Sequence, residues 1–426
     1  MQGQTVSQVY FNRRMAALVG LGFAAGLPSA YRLLGSSLQA WLGKYDYDIR
    51  QIGMLSLVTL PIAFNFVWAP LLDRYAPPVF SHLGRRRGWL MTIQLILILA
   101  IISIAMTGPT GKGDSLLPLV YAALFTAFLV ASHDVVADAY RTDVLGKAEL
   151  GAGAAVFVNG YRIGMLAAGG GALLLSDYMQ WRWVYMVLAG LMGVGILVTC
   201  LAPKVPGQSL KPNTLTAAVV DPIVDFVQRK KWAALAVLVF VVLFKLPDSM
   251  ARAMTIPLLQ THLKFNLQEI ALVREWMGLT ILIIGAFAGG AITAKIGVKR
   301  SLWLFGTLQA LSNAGFLLLT IYDKHLGLLA VVVCVENFCA GLVAAGFMAF
   351  LMGQCNRRYS ATQYALFTSL MFGADSILGA GTGFLVQDMG FTSFFWITIM
   401  ASMPGMVMLI FIGPIAGRRD RGFDGP

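Results

Sequence analysis

The chain has 426 residues, of which 58% are hydrophobic and 12% are charged. Soluble domains contain about 45–50% apolar and about 25% charged residues, so this composition excludes a disordered chain, a fibrous repeat and an ordinary soluble enzyme. The net charge of +12 would indicate a nucleic-acid partner in a soluble protein. In a membrane protein it is explained by basic inner loops, so we expect membrane lipids and no nucleic acid around this chain.

Twelve apolar runs are long enough to cross a membrane, which takes about 20 mostly apolar residues. They predict an all-α membrane protein with twelve transmembrane helices, at 15–42, 51–72, 89–107, 116–140, 150–175, 183–202, 232–258, 269–294, 300–322, 326–355, 361–387 and 391–414. The first run is too long for a cleaved signal peptide and lacks a small-residue cleavage pattern.

The distribution of basic residues predicts the orientation. If the N-terminus is cytoplasmic, most Lys and Arg residues fall on inner segments, including the clusters at 85–87 and 229–231. Because positive residues are retained on the cytoplasmic side, both termini are expected there.

A polar stretch at 203–231 divides the apolar runs six and six. It contains four prolines and ends with Arg229-Lys230-Lys231, which is typical of a cytoplasmic linker. We therefore predict an N-terminal six-helix bundle at 1–202 and a C-terminal six-helix bundle at 232–426. The two halves look related, because a glycine and a basic cluster precede the third run of each. Such a six-plus-six repeat resembles the major facilitator superfamily.

The first of these basic loops suggests a gate. Asp73 ends the second run, and Arg85, Arg86 and Arg87 precede the third. A carboxylate is unfavourable at a helix C-terminus, so Asp73 is expected to pair with a loop arginine or to cap a neighbouring helix. Such a contact can form in one transport state and break in the other. The alternative is that these cations only set the orientation.

Ionisable residues inside apolar runs usually face a cavity and carry function, because each costs at least about 2.5–3.5 kcal/mol at a helix centre. Asp134 and Asp138 are four residues apart and share one helix face. Two neighbouring carboxylates away from water favour proton binding near neutral pH, which predicts proton coupling. A structural ion pair between Asp138 and Arg141 is the alternative.

The first and fifth runs supply cations that suit an anionic ligand. Arg32 lies past the middle of the first run, near Tyr31 and Gln39, and either meets a ligand or extends to the membrane surface. Arg162 follows Tyr161 near the middle of the fifth run. A buried arginine needs a partner, and we expect either Asp134 or a ligand carboxylate.

The C-terminal half has its own polar residues within apolar runs. Lys245 and Asp248 are three residues apart and can pair, while the proline between them interrupts the helix. Glu336 and Asn337 lie together in the tenth run, and Asp375 lies in the eleventh. Glu336 and Asp375 are predicted to take part in proton coupling, and the others in substrate binding.

Other chemistry has no signature in the sequence. It contains no Walker A motif, no HExxH and no hydrolase pair, and none of its four cysteines forms a CxxC motif. We therefore expect no enzyme activity, no metal and no cofactor, with a proton gradient as the energy source.

Long strings resemble the AmpG-type muropeptide permeases from about residue 20 to residue 412. Those that carry the resemblance are FAAGLP, LQAWL, WAPLLDRYAPP, GRRRGWL, HDVVADAYRTDVL, GAGAAVFVNGYRIGML, TLQALSNAGF, YDKH, ENFCAG and CNRRYSATQYALFTSL. The resemblance implies a bacterial inner-membrane, proton-coupled importer of N-acetylglucosamine-1,6-anhydro-N-acetylmuramic acid, with or without its peptide. Such import serves peptidoglycan recycling and β-lactamase induction.

The resemblance also implies site residues, namely Asp134, Asp138, Arg162, Lys245, Asp248 and Glu336. His133-Asp134 stands where we expect Gln-Asp in the family, and Asp375 departs from its pattern. An importer of another periplasmic ligand, such as a siderophore, and a non-transporting membrane sensor are the alternatives. No obligate protein partner is evident.

Overall fold

A computed structural model describes residues 13–77, 79–111, 113–145, 150–205, 215–322, 324–355 and 360–416. Throughout these ranges the regular structure is helical. The chain divides into two compact units, residues 1–213 with 266–271, and residues 214–265 with 272–426. These are called unit 1 and unit 2.

Unit 1 begins with a broken helix and continues with longer ones. Its described helices are α1 Arg13–Gly26, α2 Leu38–Lys44, α3 Ile49–Met54, α4 Leu60–Ala63, α5 Asn65–Arg74, α6 Arg85–Thr107, α7 Leu117–Val144, α8 Leu150–Leu166, α9 Ala172–Leu175 and α10 Trp181–Leu201. Two π-helical segments, Arg32–Ser37 and Ala167–Gly171, precede α2 and α9, and 3-10 turns lie at Leu55–Thr59 and Ser81–Leu83.

The second half of the chain contains seven described helices. They are α11 Leu215–Lys230, α12 Trp232–Pro257, α13 Leu267–Ile270, α14 Gly278–Ile296, α15 Val298–Ile321, α16 Leu326–Gln354 and α17 Ser360–Ala416. The π-helical segments Leu258–His262 and Ala271–Met277 lie between α12 and α14. α13 belongs to the segment that is grouped with unit 1, and the other helices belong to unit 2.

Nine helices within the described residues are long and apolar enough to cross a membrane. The predicted runs 15–42 and 150–175 are not among them, because a turn and a π-helical segment break the first and a π-helical segment breaks the second. Pro28 and three consecutive glycines explain these breaks. Conversely, the candidate at 363–410 is interrupted at Gly390, where φ is 77° and ψ is 166°.

Part of the predicted linker at 203–231 is a helix that packs on unit 2. Phe226 of α11 is buried and makes an edge-to-face contact with Phe367 of α17 at 5.2 Å. Arg229 donates to the Gln354 carbonyl oxygen at 2.9 Å, at the C-terminal end of α16. The prolines and charges of this stretch obscure the apolar face that forms the contact.

Matching turns open α6 and α15. Gly84 precedes α6 with φ 87° and ψ 160°, and Gly297 precedes α15 with φ 83° and ψ 157°. Residues with a side chain avoid this backbone region, so glycine is needed at both positions. The shared turn agrees with the related loops that the sequence indicates in the two halves.

Helices α1 and α8 of unit 1 pack with their backbones in contact. A Cβ atom on Gly26 would collide with the carbonyl oxygen of Tyr161, and one on Gly160 would collide with the carbonyl oxygen of Val19. Gly22 and Gly164 are equally close to the opposite helix. These residues form two GxxxG spacings, the pattern that brings membrane helices into closest approach.

Candidate functional site

Tyr161 of α8 lies near three of the charged residues that the sequence indicates in unit 1. Asp134 and Asp138 of α7 and Arg32 all lie close enough to act electrostatically on the Tyr161 hydroxyl. Asp134 is half-buried and Asp138 is exposed. The structure thus brings together Arg32, Tyr161, Asp134 and Asp138, which the sequence indicates separately.

The expected pair between Arg162 and Asp134 is not present. Neither side chain forms an ion pair with any described residue. Tyr161, the residue before Arg162, is near enough to Asp134 for an electrostatic interaction. Arg162 itself is half-buried on α8.

Asp138 and Arg141 form an ion pair at 3.1 Å near the end of α7. The Arg141 guanidinium also lies over the Phe157 ring, 4.8 Å from its centre. This is the structural alternative that the spacing of the two residues predicts. It does not involve Asp134, which remains without an ion pair among the described residues.

A buried hydrogen-bond chain lies behind Asp134. The Thr199 hydroxyl donates to Gln94 Oε1 at 2.9 Å, and Gln94 Nε2 lies 3.2 Å from His133 Nε2. Because the Gln94 amide nitrogen can only donate, His133 Nε2 accepts and the ring proton is on Nδ1. The sequence does not indicate this chain, which links α6, α7 and α10.

Tyr31 and Gln39 lie on either side of the π-helical segment Arg32–Ser37. Tyr31 is half-buried and Gln39 is buried. Nearby, the Trp41 indole donates to the Pro109 carbonyl oxygen at 3.1 Å and stacks on Trp181 at 6.2 Å. These contacts fix α2, and with it the chain next to Gln39.

The predicted gate residues are partly described. The side chain of Asp73 lies outside the described residues. Arg86 is buried and pairs with Asp143 at 2.9 Å, at the end of α7. Arg87 is also buried and donates to the carbonyl oxygens of Thr199 and Cys200, at 3.1 and 2.7 Å. Arg87 therefore caps the C-terminal end of α10, where cations are favourable.

Arg85 begins α6 and is half-buried. Since Arg86 and Arg87 have partners within unit 1, both stabilise its helix ends in this conformation. Their role in gating stays a prediction.

Three ion pairs gather in unit 2. They are Lys245–Asp248 within α12 at 2.9 Å, Arg252–Asp375 between α12 and α17 at 3.2 Å, and Arg274–Glu275 in the π-helical segment before α14. The spacing of Lys245 and Asp248 predicts the first pair. Sequence reasoning missed Arg252, although its position four residues after Asp248 places both on one helix face.

Glu336 lies among these pairs without joining one. Lys245, Arg252, Arg274 and Asp248 are all close enough to act electrostatically on its carboxylate. Its hydrogen-bond partner is the neighbouring Asn337 amide, at 2.8 Å. Among the described residues each of these cations forms an ion pair with another carboxylate, so Glu336 is the carboxylate of the cluster that has no ion pair.

The family model of the Major Facilitator Superfamily matches residues 15–380. The anhydromuropeptide permease of Escherichia coli K12 is 40% identical over 404 residues, covering 95% of this chain and 80% of that protein. The chain belongs to the AmpG permease family of the major facilitator superfamily. A putative transporter AmpG 1 of Rickettsia conorii is 31% identical over 90% of this chain and 95% of its own length.

The AmpG-family chain also resembles solved transporters in its fold. The nucleoside transporter NupG matches with a TM-score of 0.68 over 94% of this chain and all of its own, at 14% identity. At this identity the likeness shows only the fold. The chain is thus a multi-pass membrane protein with the all-α fold of the superfamily, and it is a transporter and not an enzyme.

Proposed function

We propose that the chain imports anhydromuropeptides from the periplasm to the cytoplasm by proton symport, through alternating access. Its substrate is N-acetylglucosamine-1,6-anhydro-N-acetylmuramic acid, with or without a stem peptide. The observation that carries this proposal is the 40% identity to the E. coli anhydromuropeptide permease over 95% of the chain. The transporter acts in the bacterial inner membrane and serves peptidoglycan recycling and β-lactamase induction.

The proposed topology has twelve spans in two six-helix bundles, at 1–202 and 232–426, joined by a cytoplasmic segment at 203–231 and with both termini inside. The break at Gly390 supports two spans in the long helix α17. The broken segments 13–44 and 150–175 supply two more spans in addition to the continuous helices. The loop charges support the orientation.

The substrate site uses rings for the sugars and cations for the carboxylates. Tyr31 and Tyr161 provide aromatic faces for the sugar rings. Arg32, Arg162 and Lys245 bind carboxylates of the ligand through charge-assisted hydrogen bonds. Gln39, Asp248 and Asn337 provide further polar contacts. The closeness of Arg32 to Tyr161 supports a shared subsite within unit 1.

Protons bind at carboxylates that lack a cationic partner. Glu336 is the carboxylate of the unit 2 cluster that has no ion pair among the described residues, so a proton can bind it without breaking one. Asp134 is the corresponding carboxylate in unit 1. Asp138 and Asp375 are coupled to this exchange through their pairs with Arg141 and Arg252.

Gating involves Asp73 and the arginines 85–87. Arg86 and Arg87 hold the ends of α7 and α10 in the described conformation. Release of these contacts lets the helix ends separate, and their formation closes them. The burial of both side chains supports a role beyond setting the orientation.

Uptake into proteoliposomes tests the proposal. Purified protein is reconstituted, and labelled anhydromuropeptide uptake is measured with and without an imposed inward proton gradient. We expect the gradient to drive accumulation, and unlabelled anhydromuropeptide to compete where a ferric siderophore does not. Siderophore competition would indicate a different importer, and an absence of both uptake and counterflow would indicate a sensor.

The matched variant is Asp134→Asn, with Asp46→Asn on an exposed loop as its control. Asp134→Asn should abolish gradient-driven uptake while the protein still reaches the membrane. Unchanged uptake would remove Asp134 from the coupling mechanism.

A further inference from the structure

A small cavity with both polar and apolar walls lies inside unit 2. Its walls come from α12, α15, α16 and α17. Asp248 lines it from α12, Gln309 and Asn313 from α15, and Ser402 from α17. Phe244 and Met406 form apolar parts of the wall. Of its polar residues, only Asp248 belongs to the proposed transport site, and no role has been given to Gln309, Asn313 or Ser402.

Three side-chain atoms at this cavity are buried without a hydrogen-bond partner. They are both polar atoms of the Asn313 amide and Oε1 of Gln309. Asn313 is 1% exposed and Gln309 is 6% exposed, so neither reaches bulk solvent. A buried amide without partners costs free energy comparable to lost hydrogen bonds, and native interiors rarely tolerate several of them together.

Pro247 also lines the cavity, and it has no N–H to give to the carbonyl four residues earlier in the helix. The sequence predicts an interruption here, but α12 continues through Pro247, as membrane helices can where water or neighbouring polar groups replace the lost bond. The side chains of Asp248, Gln309 and Asn313 bring acceptors to the lining, and the two amides also carry donors.

The size of the cavity selects its occupant. The centre of a water molecule can occupy a volume of about 20 Å³ in this cavity. One buried water needs at least about 10–15 Å³ of such volume. A sugar or a peptide does not fit. A metal cation would satisfy the acceptors but would leave the Asn313 amide nitrogen without an acceptor, whereas water both donates and accepts.

We propose that this cavity binds an ordered water molecule, held by the Asn313 side-chain amide and by Gln309 Oε1, beside the Asp248 carboxylate.

The role of this water in transport rests on the proposed function. Asp248 pairs with Lys245 at 2.9 Å, and a substrate carboxylate that binds Lys245 would take this partner away. The water then remains as a hydrogen-bond donor for Asp248, so the pair opens without leaving a bare carboxylate. Asn313 is thus a positioning residue.

Radiolytic labelling tests for the water without any transport measurement. The full-length protein in nanodiscs is exposed to X-ray pulses in H₂¹⁸O, and ¹⁸O incorporation is measured by mass spectrometry at Phe244 and at Phe240. Both rings are buried, but only Phe244 lines the cavity. We expect faster labelling of Phe244, reduced several-fold in Asn313→Leu. Equal labelling of the two rings in the unaltered protein would overturn the proposal.

The direction of the change in Tm is an independent test for the water. If water satisfies the amides, Asn313→Leu and Gln309→Leu remove real hydrogen bonds and lower Tm. If the cavity is dry, the same changes remove unsatisfied groups and raise Tm, which would contradict the proposal. The control is Thr307→Val on the same helix, where the hydroxyl is exposed and bonds only to its own helix. Since neither readout uses substrate, a failure here is distinct from a failure of the proposed transport.

Discussion

Arg252 and Asp375 join α12 to α17 through an ion pair, with Arg252 Nη1 at 3.2 Å from Oδ1 and 3.3 Å from Oδ2 of Asp375. Arg252 has 39% and Asp375 20% of its side chain exposed. The pair therefore lies between a surface ion pair, worth less than about 1 kcal/mol, and a buried one, whose breakage costs about 3–5 kcal/mol.

Removing one partner of this pair should destabilise unit 2. Arg252→Ala leaves the half-buried Asp375 without its cation, and we expect a loss of about 1–3 kcal/mol. The exchanged variant, Arg252→Asp with Asp375→Arg, should recover part of the loss. Thermal unfolding in detergent measures both. No recovery on exchange would mean that the residues act independently.

Proton-driven uptake should depend on the carboxyl group of Glu336 more than on the length of its side chain. Glu336→Gln keeps the shape but cannot exchange a proton, so uptake should no longer follow the imposed pH gradient. Glu336→Asp keeps a carboxyl group and should retain partial gradient-driven uptake. Proteoliposome uptake at matched protein density makes the comparison. Gradient-driven uptake by Glu336→Gln at the unaltered rate would exclude Glu336 as the coupling residue.

The contact between α1 and α8 should not accept a methyl group. Gly160→Ala places a Cβ atom against the Val19 carbonyl oxygen, and overpacking of this kind costs about 1–3 kcal/mol. At Gly190 of α10 no atom lies within 4 Å of the added Cβ. Gly190→Ala should therefore be neutral, or stabilising by up to about 1 kcal/mol through helix propensity. Folded yield and Tm of the two variants test this contrast.

The Arg87→Lys variant distinguishes two roles of Arg87, capping of helix α10 and setting the orientation of the chain in the membrane. Lysine keeps the positive charge on the cytoplasmic side. It lacks the planar guanidinium group through which Arg87 donates to the carbonyl oxygens of both Thr199 and Cys200. We expect correct insertion with a stability loss of about 1–3 kcal/mol. Lys299→Arg on the exposed start of α15 is the control. Full stability of Arg87→Lys would leave orientation as the sole structural role of this charge.

Much of the fold was predictable from hydropathy, because an apolar run of sufficient length has few alternatives to a membrane helix. The breaks were harder to place. Pro28 and the glycines at 169–171 mark two of them, but only the neighbouring helices decide whether such residues bend a helix or interrupt it. The sequence did not predict helix α11, because its packing face, which carries Phe226, can be recognised only from the contact with α17.

The candidate site was predictable in its residue types and less so in its pairings. Local pairs such as Lys245–Asp248 follow from spacing along one helix. The pairing of Arg162 with Asp134, one of two partners considered, was wrong because it depends on how α8 is rotated against its neighbours. The cross-helix pair of Arg252 and Asp375 likewise depends on packing that no single helix encodes.

The glycine contact between α1 and α8 has a mechanical consequence. With no side chains between the two backbones, we expect the two helices to move together as a rigid pair. Bending is then expected where this pair ends, at the turn after Gly26 and at the π-helical segment Ala167–Gly171. The rigid pair and the bending points of unit 1 are thus separate segments of the chain.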